Sequence, residues 1–158
     1  MLSQDALKKI DREIAKYPAD RKESAVMAAL RIAQAEHGHL TSEVMDSVAS
    51  YLGMAPVHVY EVATFYSMYD LEPVGRSKLS LCTNLPCALS GAREAAAHLK
   101  QRLGIDWNET TGDGKFTLKE GECFGACGDA PVLLVNNTKM EIGMTRERID
   151  AMLAELGQ

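Results

Sequence analysis

No stretch of this sequence approaches the roughly 20 consecutive apolar residues that cross a bilayer, so no direct membrane insertion is predicted. The N-terminus, MLSQDALKKIDREI, lacks an apolar core and mixes charges within its first turns, which excludes a secretory signal. No basic stripe is present either. The net charge of −5 is spread evenly, −3 over residues 1–70 (7 Lys and Arg against 10 Asp and Glu) and −2 over residues 71–158 (10 against 12). The footprint of a nucleic-acid-binding protein is therefore missing. Neither G-x-G-x-x-G nor a P-loop occurs, so no nucleotide site is visible in this chain. Internal repeats and low-complexity segments are absent. Cysteine is scarce and confined to four residues, the first at position 82. A soluble, cytoplasmic protein is expected, and in a reducing compartment a few thiols argue for metal or redox chemistry rather than disulfides.

What is present suits an ordinary globular chain. Its 158 residues are 46% hydrophobic and 25% charged, enough for one compact domain with an appendage and a core that needs no staples. The first seventy residues read as four short helices. Leu7, Ile10, Ile14 and Tyr17 recur at helical spacing and Pro18 stops them. Asp20 and Glu23 resemble a capping box opening a second helix, which carries Val26, Met27 and Leu30 and is followed by Gly38. Thr41 can cap a third helix with Val44, Met45, Val48, Tyr51 and Leu52, closed by Gly53. Pro56 suits the first turn of a fourth, VHVYEVATFYSMY, running to about Tyr69. Links of two to four residues imply a compact helical bundle.

Asp70–Lys78 carries Pro and Gly and marks a boundary; the expected division is a helical domain over residues 1–72 and a second domain over 73–158. Beyond it the spacing predicts a strand at Leu79–Cys82 and a helix over Ala88–Leu103 closed by Gly104. A strand follows at Phe116–Lys119. A hairpin comes next, with strands Val132–Val135 and Lys139–Ile142 about an Asn136–Asn137 turn, and Thr145 caps a last helix over Arg146–Leu156. The order β-α-β-β-β-α implies a mixed sheet flanked by helices, hence α/β or α+β.

Cys82 and Cys87 form C-x4-C, and Cys123 and Cys127 form C-x3-C. Each pair lies in a loop after an extended segment, LCTNLPCALSGA and GECFGACGDAP. Two such loops can bring four thiolates to one point, which is what a [2Fe–2S] cluster requires. Gly125 and Gly128 allow close backbone approach and positive φ, Ala88 and Ala126 keep bulk away, and Pro86 stiffens the first loop. Spacing alone favours iron–sulfur but leaves open a four-cysteine zinc site, or four unrelated thiols. A thioredoxin-type dithiol needs C-x-x-C, and a plant-type ferredoxin needs C-x4-C-x2-C; here the residue three beyond Cys87 is Ser90. Glu120, Glu122 and Asp129 are acidic neighbours that should lower a cluster's potential. Other chemistry is thin. His37 and His39 flank Gly38 without a third ligand and read as a polar turn. His58, His98 and Glu61 read as surface or satisfied residues, and Tyr60, Phe65, Tyr66 and Tyr69 as packing with some capacity for docking.

Three stretches, VYEVATFYSMY, CTNLPCALSGA and GECFGACGDAPVLLVNN, together with the helical N-terminus and MTRERIDAMLAEL, resemble one family over nearly the whole chain. It is the small, E-type [2Fe–2S] subunit of bacterial NADH:quinone oxidoreductase, respiratory complex I. The resemblance implies a helical N-terminal bundle before a thioredoxin-like ferredoxin domain, and Cys82, Cys87, Cys123 and Cys127 as the ligands of a [2Fe–2S] cluster. It implies a partner flavoprotein subunit that binds NADH and FMN, further peripheral-arm subunits, and a place beside the inner membrane through the complex rather than in it. Enzyme activity belongs to that assembly; no substrate site or general acid or base is expected on this chain. Equivalent subunits serve NAD-linked hydrogenases and formate dehydrogenases, and a zinc-stabilised docking module is the contrasting alternative. The stretch NNTKMEIGM departs from many relatives, which are more acidic and aromatic there.

Overall fold

The computed structural model describes residues 1–158, which separate into two compact units, Met1–Pro73 and Val74–Gln158. In the first, Ser3 accepts a hydrogen bond from the Ala6 N–H at 3.1 Å and opens helix α1, Gln4–Ile14. A 3-10 turn over Lys22–Ala25 leads into α2, Val26–His37, which Gly38 ends at φ +82°. Thr41 caps α3, Ser42–Leu52, and Gly53 closes it in the left-handed region. Pro56 begins α4, Pro56–Phe65. Ile10, Leu30, Leu40, Val48 and Val59 are fully buried and form the centre of this unit's core, each contributing about 1.5–3 kcal/mol of apolar burial.

Three expectations for this unit change. Helix α1 ends at Ile14, and Tyr17 lies in the turn beyond it with its N–H on the Ile14 carbonyl. Asp20 and Glu23 form no capping box. Both carboxylates approach Arg21, at 3.6 and 3.9 Å, and the 3-10 turn has no side-chain cap. Helix α4 stops four residues before Tyr69 because the following segment is held elsewhere. Tyr66 is extended, Tyr69 donates its hydroxyl to the Met27 carbonyl at 2.8 Å, and the Asp70 N–H donates to Gln34 Oε1 at 2.7 Å.

The second unit is built on a four-stranded mixed sheet in the order β2-β1-β3-β4. Strand β1 (Ser77–Cys82) is parallel to β2 (Phe116–Gly121) and antiparallel to β3 (Leu133–Val135), which pairs antiparallel with β4 (Lys139–Glu141). A single helical turn, α5 (Leu85–Cys87), precedes α6 (Arg93–Leu103), and Thr145 caps α7 (Arg146–Leu156). Asp150 on α7 binds both His98 and Arg102 of α6 at 2.9 Å, so these helices are tied side by side. Leu79, Leu81, Leu99, Leu118, Leu133 and Ile149 are fully buried in this unit's core. The α/β architecture follows the expectation from element order.

The helix expected over Ala88–Leu103 is interrupted. Residues Ala88–Ala92 form a π-type segment in which Ser90 (φ −99°) and Gly91 (φ +98°) leave helical geometry. Glycine takes that positive φ without a Cβ clash, and the Ser90 hydroxyl bonds the Pro86 carbonyl at 2.8 Å. The hairpin strands are shorter than expected, and the loop spans Asn136–Thr138, with Asn136 and Asn137 both at positive φ.

Candidate metal centre

Strands β1 and β2 run parallel and in register, with Cys82 opposite Gly121. Both cysteine loops therefore leave the sheet at the same end. The Thr83 N–H donates to the Gly121 carbonyl at 3.2 Å, and the Thr83 hydroxyl meets Glu120 at 2.9 Å, so the clamp continues one residue past the strands. The Cys82 N–H donates to the Val132 carbonyl at 3.0 Å, which ties the first loop to the segment entering β3.

The thiols come as two pairs. Cys82 and Cys87 lie near enough to influence one another and are buried at 2% and 1% exposure, within a small apolar cluster with Ala92 and Val132. Cys123 and Cys127 are likewise near neighbours, and both are exposed. The pairs are close enough to act on one another electrostatically: Cys127 on Cys87, and Cys82 on Cys127. Burial pushes the Cys87 thiol up from its usual range, its hydrogen bond with Cys82 adds to this, and the Val132 N–H works against it. Cys127 is raised chiefly by its hydrogen bond with Cys123 and then by that neighbour's charge. No group of three or more His, Cys, Asp or Glu side chains closes around a single ion.

This donor set fits a [2Fe–2S] cluster, in which each iron takes two thiolates. A backbone donor is already aimed at sulfur: the Gly125 N–H reaches Cys123 Sγ at 3.4 Å, with Gly125 at φ +77°. Such N–H groups stabilise thiolate charge and tune a metal's potential. Gly128 does not take a positive φ.

The remaining candidates are not drawn to this centre. His37 Nε2 sits 3.3 Å from Glu36, His98 is held by Asp150, and His58 and Glu61 are exposed. Tyr60 donates to Asp46 at 2.7 Å, and Phe65 and Tyr66 form an exposed edge-to-face pair. One contributor has no signature in the sequence. Phe124, between the second pair's cysteines, folds its ring onto Gly121 and packs against the buried pair's cluster. A lone aromatic in a cysteine loop carries no periodic signal that would have exposed this.

The family model for thioredoxin-like [2Fe–2S] ferredoxins matches residues 10–157. The second E-type chain of NADH-quinone oxidoreductase from Rhizobium meliloti (strain 1021) is 48% identical over 91% of this chain and 84% of its own length. NADH-quinone oxidoreductase subunit 2 of Thermus thermophilus is 39% identical over 93% of this chain and 81% of its own. Among solved structures, a chain of an air-oxidized NAD+-reducing [NiFe]-hydrogenase superposes with TM-score 0.69 at 19% identity, covering 81% of this chain. This chain spans only 22% of that hydrogenase chain, and at such identity the likeness is one of fold alone.

Proposed function

The chain belongs to the thioredoxin-like [2Fe–2S] ferredoxins, and from that membership we propose that it is the small electron-transfer subunit of an NADH:quinone oxidoreductase. In this reading Cys82, Cys87, Cys123 and Cys127 hold the [2Fe–2S] cluster in the Val74–Gln158 unit, which follows the helical Met1–Pro73 unit in the sequence. The observation that carries it is the pairing of four thiols at the shared end of two parallel strands. When bound, the cluster supplies a one-electron couple. The chain's own residues fix its surroundings. Cys82 and Cys87 would hold it from an apolar, water-poor wall, and Cys123 and Cys127 from the surface. The Gly125 N–H offsets negative charge on the Cys123 sulfur.

The donor or acceptor is FMN on an NADH-binding flavoprotein subunit of the same assembly, which holds this chain at the inner membrane's surface. No helix here is long and apolar enough to cross a membrane. The relatives' names favour the quinone-linked complex over an NAD-linked hydrogenase or formate dehydrogenase. Metal and acid-labile sulfide analysis of the purified chain, beside visible and EPR spectra, is the direct test, with iron and sulfide expected at about two each per chain. Cys127→Ala should abolish the normal EPR spectrum. An unaltered spectrum from that variant, or a colourless zinc protein, would overturn the assignment.

A further inference from the structure

Phe124 is the only large apolar side chain between Gly121 and Ala130; the other residues there are Gly, Ala, Cys, Glu122 and Asp129. From Glu122 to Gly128 no backbone hydrogen bond leaves this loop for a strand. Its bonds are internal, from the Gly125 N–H to Cys123 Sγ and from the Asp129 N–H to the Ala126 carbonyl at 3.0 Å. Yet the Phe124 ring, with Ala126 and Ala130, packs against Cys82, Cys87, Ala92 and Val132. Apolar contact therefore holds the loop that carries Cys123 and Cys127 to the wall that carries Cys82 and Cys87. Of the three side chains making it, the ring is by far the largest.

Gly121 shows that the seat is shaped for this ring. Its φ is not positive, so the backbone does not call for glycine. Glycine in a strand packs nothing and weakens it, and it often marks a place where another group comes close. Here that group is Phe124, whose Cζ lies 2.4 Å from where a Cβ would stand. Cys82 is the strand partner of Gly121. The ring is only half-buried, so it stands between the buried thiol pair and water.

We propose that Phe124 is a positioning residue for the cluster: its ring, seated on Gly121, shuts water off from the Cys82–Cys87 wall and holds the Cys123–Cys127 loop to it. This rests on the function proposed above. A ring in that place keeps the dielectric low beside the buried thiolates, and low dielectric disfavours the negative charge that reduction adds. Losing it should raise the midpoint potential as well as loosen the site.

The first measurement needs no cluster. Metal-free full chain is treated with iodoacetamide under native conditions, and labelling of each cysteine is followed by mass spectrometry. In Phe124→Ala, Cys82 and Cys87 should label about tenfold faster or more, with Cys123 and Cys127 within about twofold of wild type. Phe124→Leu keeps an apolar side chain on Gly121 and should restore slow labelling. Phe124→Val should fall between the two, and carries the same test if Phe124→Ala does not fold. Met152→Ala weakens the separate core cluster of the same unit and should leave all four cysteines as in wild type. The second measurement uses the cluster-loaded chain. Phe124→Ala should raise the midpoint potential, strengthen deuteron coupling to the EPR signal in deuterated water, and bleach about fivefold faster or more with chelator. Phe124→Leu should return all three towards wild type. Unchanged labelling of Cys82 and Cys87 in Phe124→Ala would overturn the inference. So would equal acceleration in Met152→Ala, which would reduce the ring to general stability, or a potential that stays or falls. If wild-type chain takes up no iron and sulfide, the functional reading falls and this inference with it; if wild type carries a normal cluster and Phe124→Ala behaves like it, the inference alone falls.

Discussion

Gly121→Ala is the substitution whose consequence the geometry states most sharply. An ideal Cβ at this buried strand end would lie 2.4 Å from Phe124 Cζ, 3.1 Å from its Cε2 and 3.2 Å from the Leu81 carbonyl oxygen. Carbon atoms in favourable contact sit about 3.5–4.0 Å apart, so the ring must retreat by about 1 Å or more. Phe124 is half-buried and can swing outwards, but doing so removes it from Cys82, Cys87, Ala92 and Val132 and pulls on Cys123 next to it. Overpacking of this kind costs about 1–3 kcal/mol. Gly121 does not occupy a positive φ, so alanine regains about 0.4–1 kcal/mol by restricting the unfolded chain. The net expectation is a loss of about 1–2 kcal/mol, read from urea denaturation of the metal-free chain. Chelator-driven bleaching of the loaded protein should be faster as well. The decisive comparison adds Phe124→Ala: without the ring, Gly121→Ala should cost less than about 0.5 kcal/mol, because the two effects share one contact. An equal penalty in both backgrounds, or none in the wild-type background, would refute the reasoning.

Charge near the centre should tune it. Glu122→Gln removes an exposed carboxylate one residue from Cys123 and should raise the midpoint potential by about 10–40 mV, the one-electron equivalent of a 0.2–1 kcal/mol exposed interaction; redox titration followed by EPR would expose an unchanged or lower value. In the helical unit, Glu36 is held below its ordinary value of 4.5 by the Ser3 hydroxyl first and the Ser3 N–H second, at 2.7 and 3.0 Å. A lowered carboxylate stabilises the fold above its unfolded pKa, and that contribution disappears as pH falls through the folded value. Wild type should therefore exceed Glu36→Gln in stability at pH 7 and lose that margin as acid takes the medium below about 4.5; a margin that grows in acid would contradict the sign. Finally, Cys82→Ala should destabilise the metal-free chain by about 1 kcal/mol, since a buried sulfur of methylene-like size is lost. Cys127→Ala at the surface should be the milder of the two, and parallel denaturation curves showing the reverse order would rule out the burial assignment.

Much of this molecule was legible from residue spacing. Thr41, Gly53, Pro56, Gly104 and Thr145 act at helix ends as their chemistry dictates, because capping is decided within four residues and needs no tertiary information. The differences came where other partners, distant or adjacent, won. Tyr69 has the hydrophobic spacing to extend α4, yet its hydroxyl is claimed by the Met27 carbonyl, 42 residues away. Asp20 and Glu23 have capping-box spacing, yet Arg21 between them draws both carboxylates. At the candidate centre the four cysteines and Gly125 could be named from spacing and loop composition. The ring of Phe124 on Gly121 could not, because it depends on how a loop folds back onto a strand end.

The sheet explains why the four thiols are not equivalent. Strand β1 is paired on both sides, by β2 and β3, and every one of its residues is buried. Cys82 inherits that burial at its end, and the turn that follows places Cys87 against the same wall. Strand β2 lies at the edge of the sheet, and the 108–111 segment covers its outer side only as far as Leu118, so its last residues, from which the second loop leaves, are paired with β1 alone. Cys123 and Cys127 are exposed for that reason rather than through any property of their own sequence. A cluster held by these four cysteines would meet a low-dielectric wall on one side and solvent on the other, and would supply a one-electron couple there. The two pairs would then divide the work, Cys82 and Cys87 holding the cluster from the buried side and Cys123 and Cys127 from the exposed one.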